Sequence, residues 1–146
     1  MSERAGCVFC HIADGAEPAS FVAQGSEVVA FLDLHPINEG HTLVMPRKHA
    51  TSLADVEETS AIAMWSLARR VGAALRVSGL RCEGLDFFLA DGEAAGQEVF
   101  HAHLHVIPRW KGDGFGIQFP PHYGSPAPRE ALDDLAGKVR KRMSAS

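Results

Sequence analysis

Residues 100 to 109 read Phe-His-Ala-His-Leu-His-Val-Ile-Pro-Arg, and this alternation of imidazole with aliphatic side chains restricts the chain more than any other feature. Successive side chains of an extended strand point to opposite faces. His101, His103 and His105 therefore fall on one face and Ala102, Leu104 and Val106 on the other. A rise of about 3.3 Å per residue sets neighbouring imidazoles about 6.6 Å apart at the backbone. Such a row suits a metal site, because neutral imidazole is the commonest biological ligand. It equally suits nucleophilic catalysis, in which one imidazole attacks phosphorus or carbonyl carbon while its neighbours orient it and stabilise charge. A plain solvated edge would be a costly use of three imidazoles.

The chain has 146 residues, which fits one domain with a single substantial core. The expected boundaries are 1–146, with a core at about 7–109 and a C-terminal tail at 110–146. A formal charge of -4 argues against nucleic acid held on a basic surface, while leaving room for a small anionic substrate. Residues Met1 to Gly6 contain no apolar leader-like run, and no stretch nears eighteen consecutive apolar residues, so no membrane span and a cytoplasmic location are expected. Three cysteines make a poor disulfide framework and fit a reducing compartment.

Phe21–Gln24 and Glu27–Leu32 flank Gly25-Ser26 and predict a hairpin. A third β-rich run, His41 to Met45, ends at Pro46, and Asp33 to Gly40 reads as the loop before it. From about Ala54 to Ser78 the period becomes helical, with Ala61, Met64, Ala68, Val71 and Leu75 on one stripe, and Gly79 ends it. Leu85–Ala90 predicts a strand, Asp91–Gly96 a loop, and Val99–Ile107 the histidine strand. A Gly/Pro-rich stretch from Lys111 to Pro128 leads to a short helix starting near Arg129. The sum is an α+β domain, an antiparallel meander with one long helix and a short C-terminal helix.

Cys7-Val8-Phe9-Cys10-His11 matches the C-x-x-C-H pattern of c-type haem attachment, but that attachment belongs to exported proteins. A redox dithiol would sit in a βαβ unit, and none is predicted. Half of a tetrahedral zinc site, completed by histidines elsewhere, is the better reading. Two buried unligated thiols remain the alternative, and Cys82 reads as a core residue or a half-exposed bystander.

The histidine run, with Gly96-Gln97 just ahead of Val99-Phe100, the Asp33 to His41 loop and Pro46-Arg47-Lys48-His49, resembles the histidine-triad (HIT) family of nucleotide hydrolases and transferases. The resemblance runs from about Cys7 to Arg109 and implies an antiparallel sheet plus helix that commonly homodimerises. It implies that His103 attacks the α-phosphorus of a nucleotide to form a nucleotidyl-imidazole. His105 would then bond phosphate oxygens, His101 would hold structure, and Gln97 would help stabilise developing charge. Asp33 would accept the ribose hydroxyls, Val8, Phe9, Leu32 and Leu34 would wall the base, and His41 would reach the phosphates. Relatives with an N-terminal Cys-x-x-Cys imply a structural zinc on Cys7, Cys10, His49 and His101.

Two positions depart from the family pattern. Ala90 stands before Asp91-Gly92 where many relatives carry an amide, and Ala has no donor to offer a phosphate. Glu98 stands where several members carry a hydroxyl, and it would serve either as a general acid or as plain surface charge. His105 argues against the transferase branch, which carries Gln there. Pro108 to Phe115 resembles the dinucleoside-polyphosphate branch slightly more than the phosphoramidate branch, with basic residues that could hold extra phosphates. Two competing functions are a nucleotide-binding regulator with little turnover, motivated by Ala90, and an enzyme using the triad as catalytic metal ligands. His35, His11 and His122 read as surface residues.

Overall fold

The computed structural model describes residues 3–144. The chain divides between Phe115 and Gly116 into two compact units. In the first, a 3-10 turn at Glu3–Gly6 leads into α1 (Val8–Ala13), followed by strands β1 (Phe21–Gln24), β2 (Val28–Leu32) and β3 (Thr42–Pro46). A 3-10 turn at Leu53–Asp55 precedes α2 (Glu58–Val77), and then come β4 (Gly84–Phe88), a turn at Glu93–Ala95 and β5 (Leu104–Arg109). All strand pairs are antiparallel, in the order β1-β2-β3-β5-β4. The chain thus meanders through β3, crosses over by α2 to the far edge, and returns β5 to the gap between β3 and β4.

The histidine strand begins later than its alternation predicts. Thr42 pairs with Val106 and Val44 with Leu104, and there the ladder stops. Pro46 has no N–H to continue it. Instead Ala102 N–H donates to Ala50 O at 2.7 Å and His101 N–H to Val99 O at 2.8 Å, so the chain bends at residues 99–101 and the strand is not reached until Leu104. The long helix also starts late, at Glu58. Ser52 and Asp55 close a capping box on the separate turn before it, with Ser52 Oγ 2.7 Å from Asp55 Oδ2.

Both faces of the sheet are covered, which explains why β3 is buried at every position and reads as a continuous apolar run. On one face Met64, Leu67, Ala68, Val71 and Leu75 of α2 pack over Ala30, Val44, Leu104 and Val106. Each large side chain so buried contributes about 1.5–3 kcal/mol. On the other face Phe9, Cys10, Ile12 and Ala13 of α1 cover Val29, Phe31, Leu43 and Met45. This smaller layer leaves the rest of that face open to the triad. Among the described residues no helix is long and apolar enough to cross a membrane.

The second unit carries Phe119 stacked on Tyr123, with ring centroids 4.0 Å apart, and α3 (Arg129–Met143). Glu130 in its first turn and Arg140, Lys141 and Arg142 in its last complement the helix dipole.

Candidate functional site

His103 and His105 straddle the start of β5, their ring centroids 4.8 Å apart. His103 is buried and its Nδ1–H donates to His101 O at 2.7 Å. That bond selects the tautomer whose Nε2 carries the lone pair. Phe9 meets the ring edge-on, with centroids at 5.1 Å. Burial lowers the pKa of His103 below the ordinary histidine value, keeping the imidazole neutral and nucleophilic.

His105 is set by a chain of donors. Ile37 N–H donates to His41 Nδ1 at 3.2 Å, so the His41 proton resides on Nε2, which stands 2.9 Å from His105 Nδ1. His105 then presents Nε2–H as an outward donor. Asp33 Oδ2 lies 3.5 Å from His41 Nδ1 and acts as a neighbouring charge rather than the acceptor. Burial, reinforced by His103 and His41, pushes His105 down to about 4, and burial likewise lowers His41. Phe88 of β4, paired in register with His105, stacks on its ring at 4.4 Å. Sequence reading missed Phe88; its signal was the two-residue period linking Asp86 and Phe88 on the site face.

The third triad histidine faces elsewhere. Fully buried His101 donates Nε2–H to Pro46 O at 2.8 Å and turns Nδ1 toward the thiols. Its Nδ1 lies 3.5 Å from Cys7 Sγ and 3.6 Å from Cys10 Sγ, and Cys10 Sγ lies 3.3 Å from His49 Nδ1. Cys7, Cys10, His49 and His101 offer four ligand atoms all within 4.8 Å of one another. Zinc bonds of ordinary length at tetrahedral angles put sulfur and nitrogen about 3.5 Å apart, so the donor set fits zinc. Burial, with Cys7 beside it, pushes the Cys10 thiol up to about 11, a thiol that a dication would hold ionised. The local cause is α1: a three-residue spacing on a helix sets Cys7, its N-cap, and Cys10 on one side.

Other predicted residues are placed differently. Gln97 is buried, and its amide is engaged with backbone: Oε1 accepts Gly92 N–H at 2.8 Å, and Nε2 donates to Thr51 O at 2.8 Å and Val99 O at 3.2 Å. It braces the turn before the triad. Asp33 Oδ1 accepts His35 N–H at 2.9 Å. Val8, Leu32 and Leu34 are 46%, 41% and 86% exposed, while Phe9 is buried. Glu98 and His35 are exposed, and Ala90 is buried. Arg109, expected to be open to phosphates, spends its guanidinium on Asp113, Asp86 and Phe115 O. Asp113 is held well below the usual carboxylate range, first by Arg109. Asn38 joins the same network, donating to Pro108 O at 2.8 Å and Asp113 Oδ2 at 2.9 Å, while its own carbonyl accepts His41 N–H at 3.0 Å.

The HIT domain model matches residues 14–112. The chain belongs to the HIT family. Members are generally nucleotide-binding hydrolases or transferases. A HIT protein of Bacillus subtilis is 36% identical over 141 residues, spanning 96% of each chain. The crystal structure of a HIT family protein from Bacillus anthracis superposes with a TM-score of 0.85 at 33% identity, covering 94% of this chain and 96% of that one. A zinc-bound histidine triad protein from Mycobacterium smegmatis aligns with a TM-score of 0.73 at 34% identity, covering 98% and 99%.

Proposed function

We propose that the protein hydrolyses nucleoside 5′-phosphate derivatives at the α-phosphorus through a nucleotidyl-His103 intermediate, releasing a mononucleotide such as AMP. The observation that carries this reading is the opposite proton placement on two adjacent imidazoles: His103 aims a lone pair outward and His105 a proton. His103 Nε2 bonds to phosphorus as the bond to the leaving group breaks; the leaving group keeps the electron pair and takes a proton from water. A second water then adds to phosphorus, the P–N pair returns to imidazole, and a proton is released. His101 O, accepting from Nδ1–H, steadies the positive charge of the modified ring. His105 Nε2–H donates to a non-bridging oxygen, and Asp33 accepts from the ribose hydroxyls. Phe9, Val8, Leu32 and Leu34 offer apolar surface to the base. Gln97 acts by bracing the triad turn.

Zinc on Cys7, Cys10, His49 and His101 would supply structural cross-linking rather than chemistry, since no ligand of that set is left to face a substrate. A homodimer in the cytoplasm completes the proposal; β4, an open sheet edge with Phe87 39% exposed, supplies a surface for a second copy. With Arg109 engaged by Asp113, Asp86 and Phe115 O, one of the two basic residues behind the preference for dinucleoside polyphosphates over phosphoramidates is withdrawn. The test is incubation with an adenosine phosphoramidate or a diadenosine polyphosphate, early quenching, and intact-mass analysis. An added adenylyl group that disappears in His103→Ala is expected. Nucleotide binding with neither adduct nor AMP would favour the regulator that Ala90 suggests.

A further inference from the structure

We infer that Phe9 and His101 are positioning residues for His103, and that metal ligation at the Cys7–Cys10–His49–His101 cluster sets where both of them stand. The inference rests on the proposed role of His103 and adds a coupling between the metal cluster and the nucleophile.

Two short connections carry it. The first is covalent and polar: His101 gives its ring Nδ1 to the cluster and its backbone carbonyl to His103 Nδ1–H, at 2.7 Å. The ring is pinned at its other end by Pro46 O, so moving Nδ1 off the cluster rotates the residue whose carbonyl defines the His103 tautomer. The His101–Ala102 peptide lies outside the β3–β5 ladder, since β5 begins at Leu104, and its N–H donates instead to Ala50 O at 2.7 Å.

The second connection is through packing. Phe9 lies between the two cysteines on α1, a helix of only six residues. Its ring meets three others edge-on: Phe31 at 5.6 Å, His101 at 6.0 Å and His103 at 5.1 Å. A helix that short has little stability of its own. Ligation at both flanking residues would fix Phe9 as the wall that stops the His103 ring from turning. His105 has neither tie, since its tautomer is set through His41 and Ile37 N–H and its ring is held by Phe88. The two catalytic imidazoles are therefore governed separately, which supplies an internal control.

The experiment is long-range proton–nitrogen correlation NMR of the imidazoles in the full chain, loaded with zinc and then stripped by chelator. Loaded protein should show His103 as a single tautomer protonated at Nδ1. Stripping should collapse that signal toward an exchange average while His105 keeps its Nε2–H pattern. Phe9→Leu, kept loaded at one zinc per chain, should show the same loss of tautomer purity in the substrate-free protein and a fall in kcat of about tenfold. If stripping unfolds the chain, Phe9→Leu decides alone. A His103 signal unchanged by both treatments, or a chain that binds no zinc, overturns the inference. His103 signals that respond as expected in a protein that turns over no nucleotide would uphold it and sink the hydrolase reading instead.

Discussion

His41 Nε2 and His105 Nδ1 stand 2.9 Å apart, and because Ile37 N–H occupies the other His41 nitrogen, the shared proton has one home. His41 thus decides which face of His105 is a donor without itself reaching the open side of the site. His41→Phe keeps the volume of a ring that is 2% exposed but removes the donor, leaving His105 free to adopt the wrong tautomer. The expected loss is about 10²-fold in kcat, with KM within a few-fold. His41→Gln, whose amide can still donate to His105, should recover part of it. Steady-state kinetics on the better substrate checks both.

Burial and the neighbouring imidazoles push His105 down to about 4 from the ordinary 6.5. A protonated His105 would turn a second N–H against the one His41 presents, and a protonated His103 would lose its attacking lone pair; burial lowers both, so the acid limb of kcat/KM belongs below pH 6.5. The same shift makes stability pH-dependent. The unfolded chain binds this proton first as pH falls, so the contribution is complete above about 6.5 and is lost between there and about 4. His105→Gln lacks the titrating group. The stability difference between the two proteins, measured by denaturant unfolding, should therefore shift across that window and stay level above it.

The hairpin, the long helix and the triad were legible because each depends on local signals: β-rich runs on either side of Gly25-Ser26 for β1 and β2, the alternating histidines leading into β5, and the Met64–Ala68–Val71–Leu75 stripe in α2. Where tertiary bonds outcompete local pattern, the reading failed. Residues 99–103 alternate like a strand, yet Pro46 ends the ladder and Ala102 bonds Ala50 instead. Arg109 looked like a phosphate ligand because its partners Asp86 and Asp113 are 23 and 4 residues away in sequence, and only the fold brings both to it. Gln97 looked like a substrate donor for the same reason: its acceptors Thr51 O and Val99 O are backbone atoms with no signature in a sequence.

Gly40 offers a test of how tightly the loop before β3 is held. Its φ is +90°, and a Cβ there would stand 2.8 Å from Leu80 Cδ1, 2.9 Å from Leu75 Cδ2 and 3.2 Å from Pro108 Cγ. Gly40→Ala combines a left-handed backbone penalty with overpacking against α2, so a loss of about 3 kcal/mol in unfolding free energy is expected. Because Gly40 precedes His41, activity per folded molecule should fall as well. Urea unfolding and an assay at matched folded fraction separate the two effects.

Metal exchange discriminates a structural cluster from a catalytic one. The sulfur and nitrogen donors suit cadmium as well as zinc, and all four ligand positions are filled by protein. If the ion only fixes the cluster, cadmium-loaded protein should keep kcat within a few-fold of the zinc form, because no substrate atom ever meets the metal. A Lewis acid at the reacting phosphate would make kcat depend strongly on the ion's identity. Stability should respond to removal in either case: at free zinc about 100-fold above its dissociation constant, ligation adds about 2.7 kcal/mol, and a chelator should lower Tm by about 10 °C. Cys10→Ser should reproduce that drop without chelator, since it removes one of two thiolates from a buried site. A kcat that tracks the identity of the added ion would move the metal from the scaffold to the chemistry.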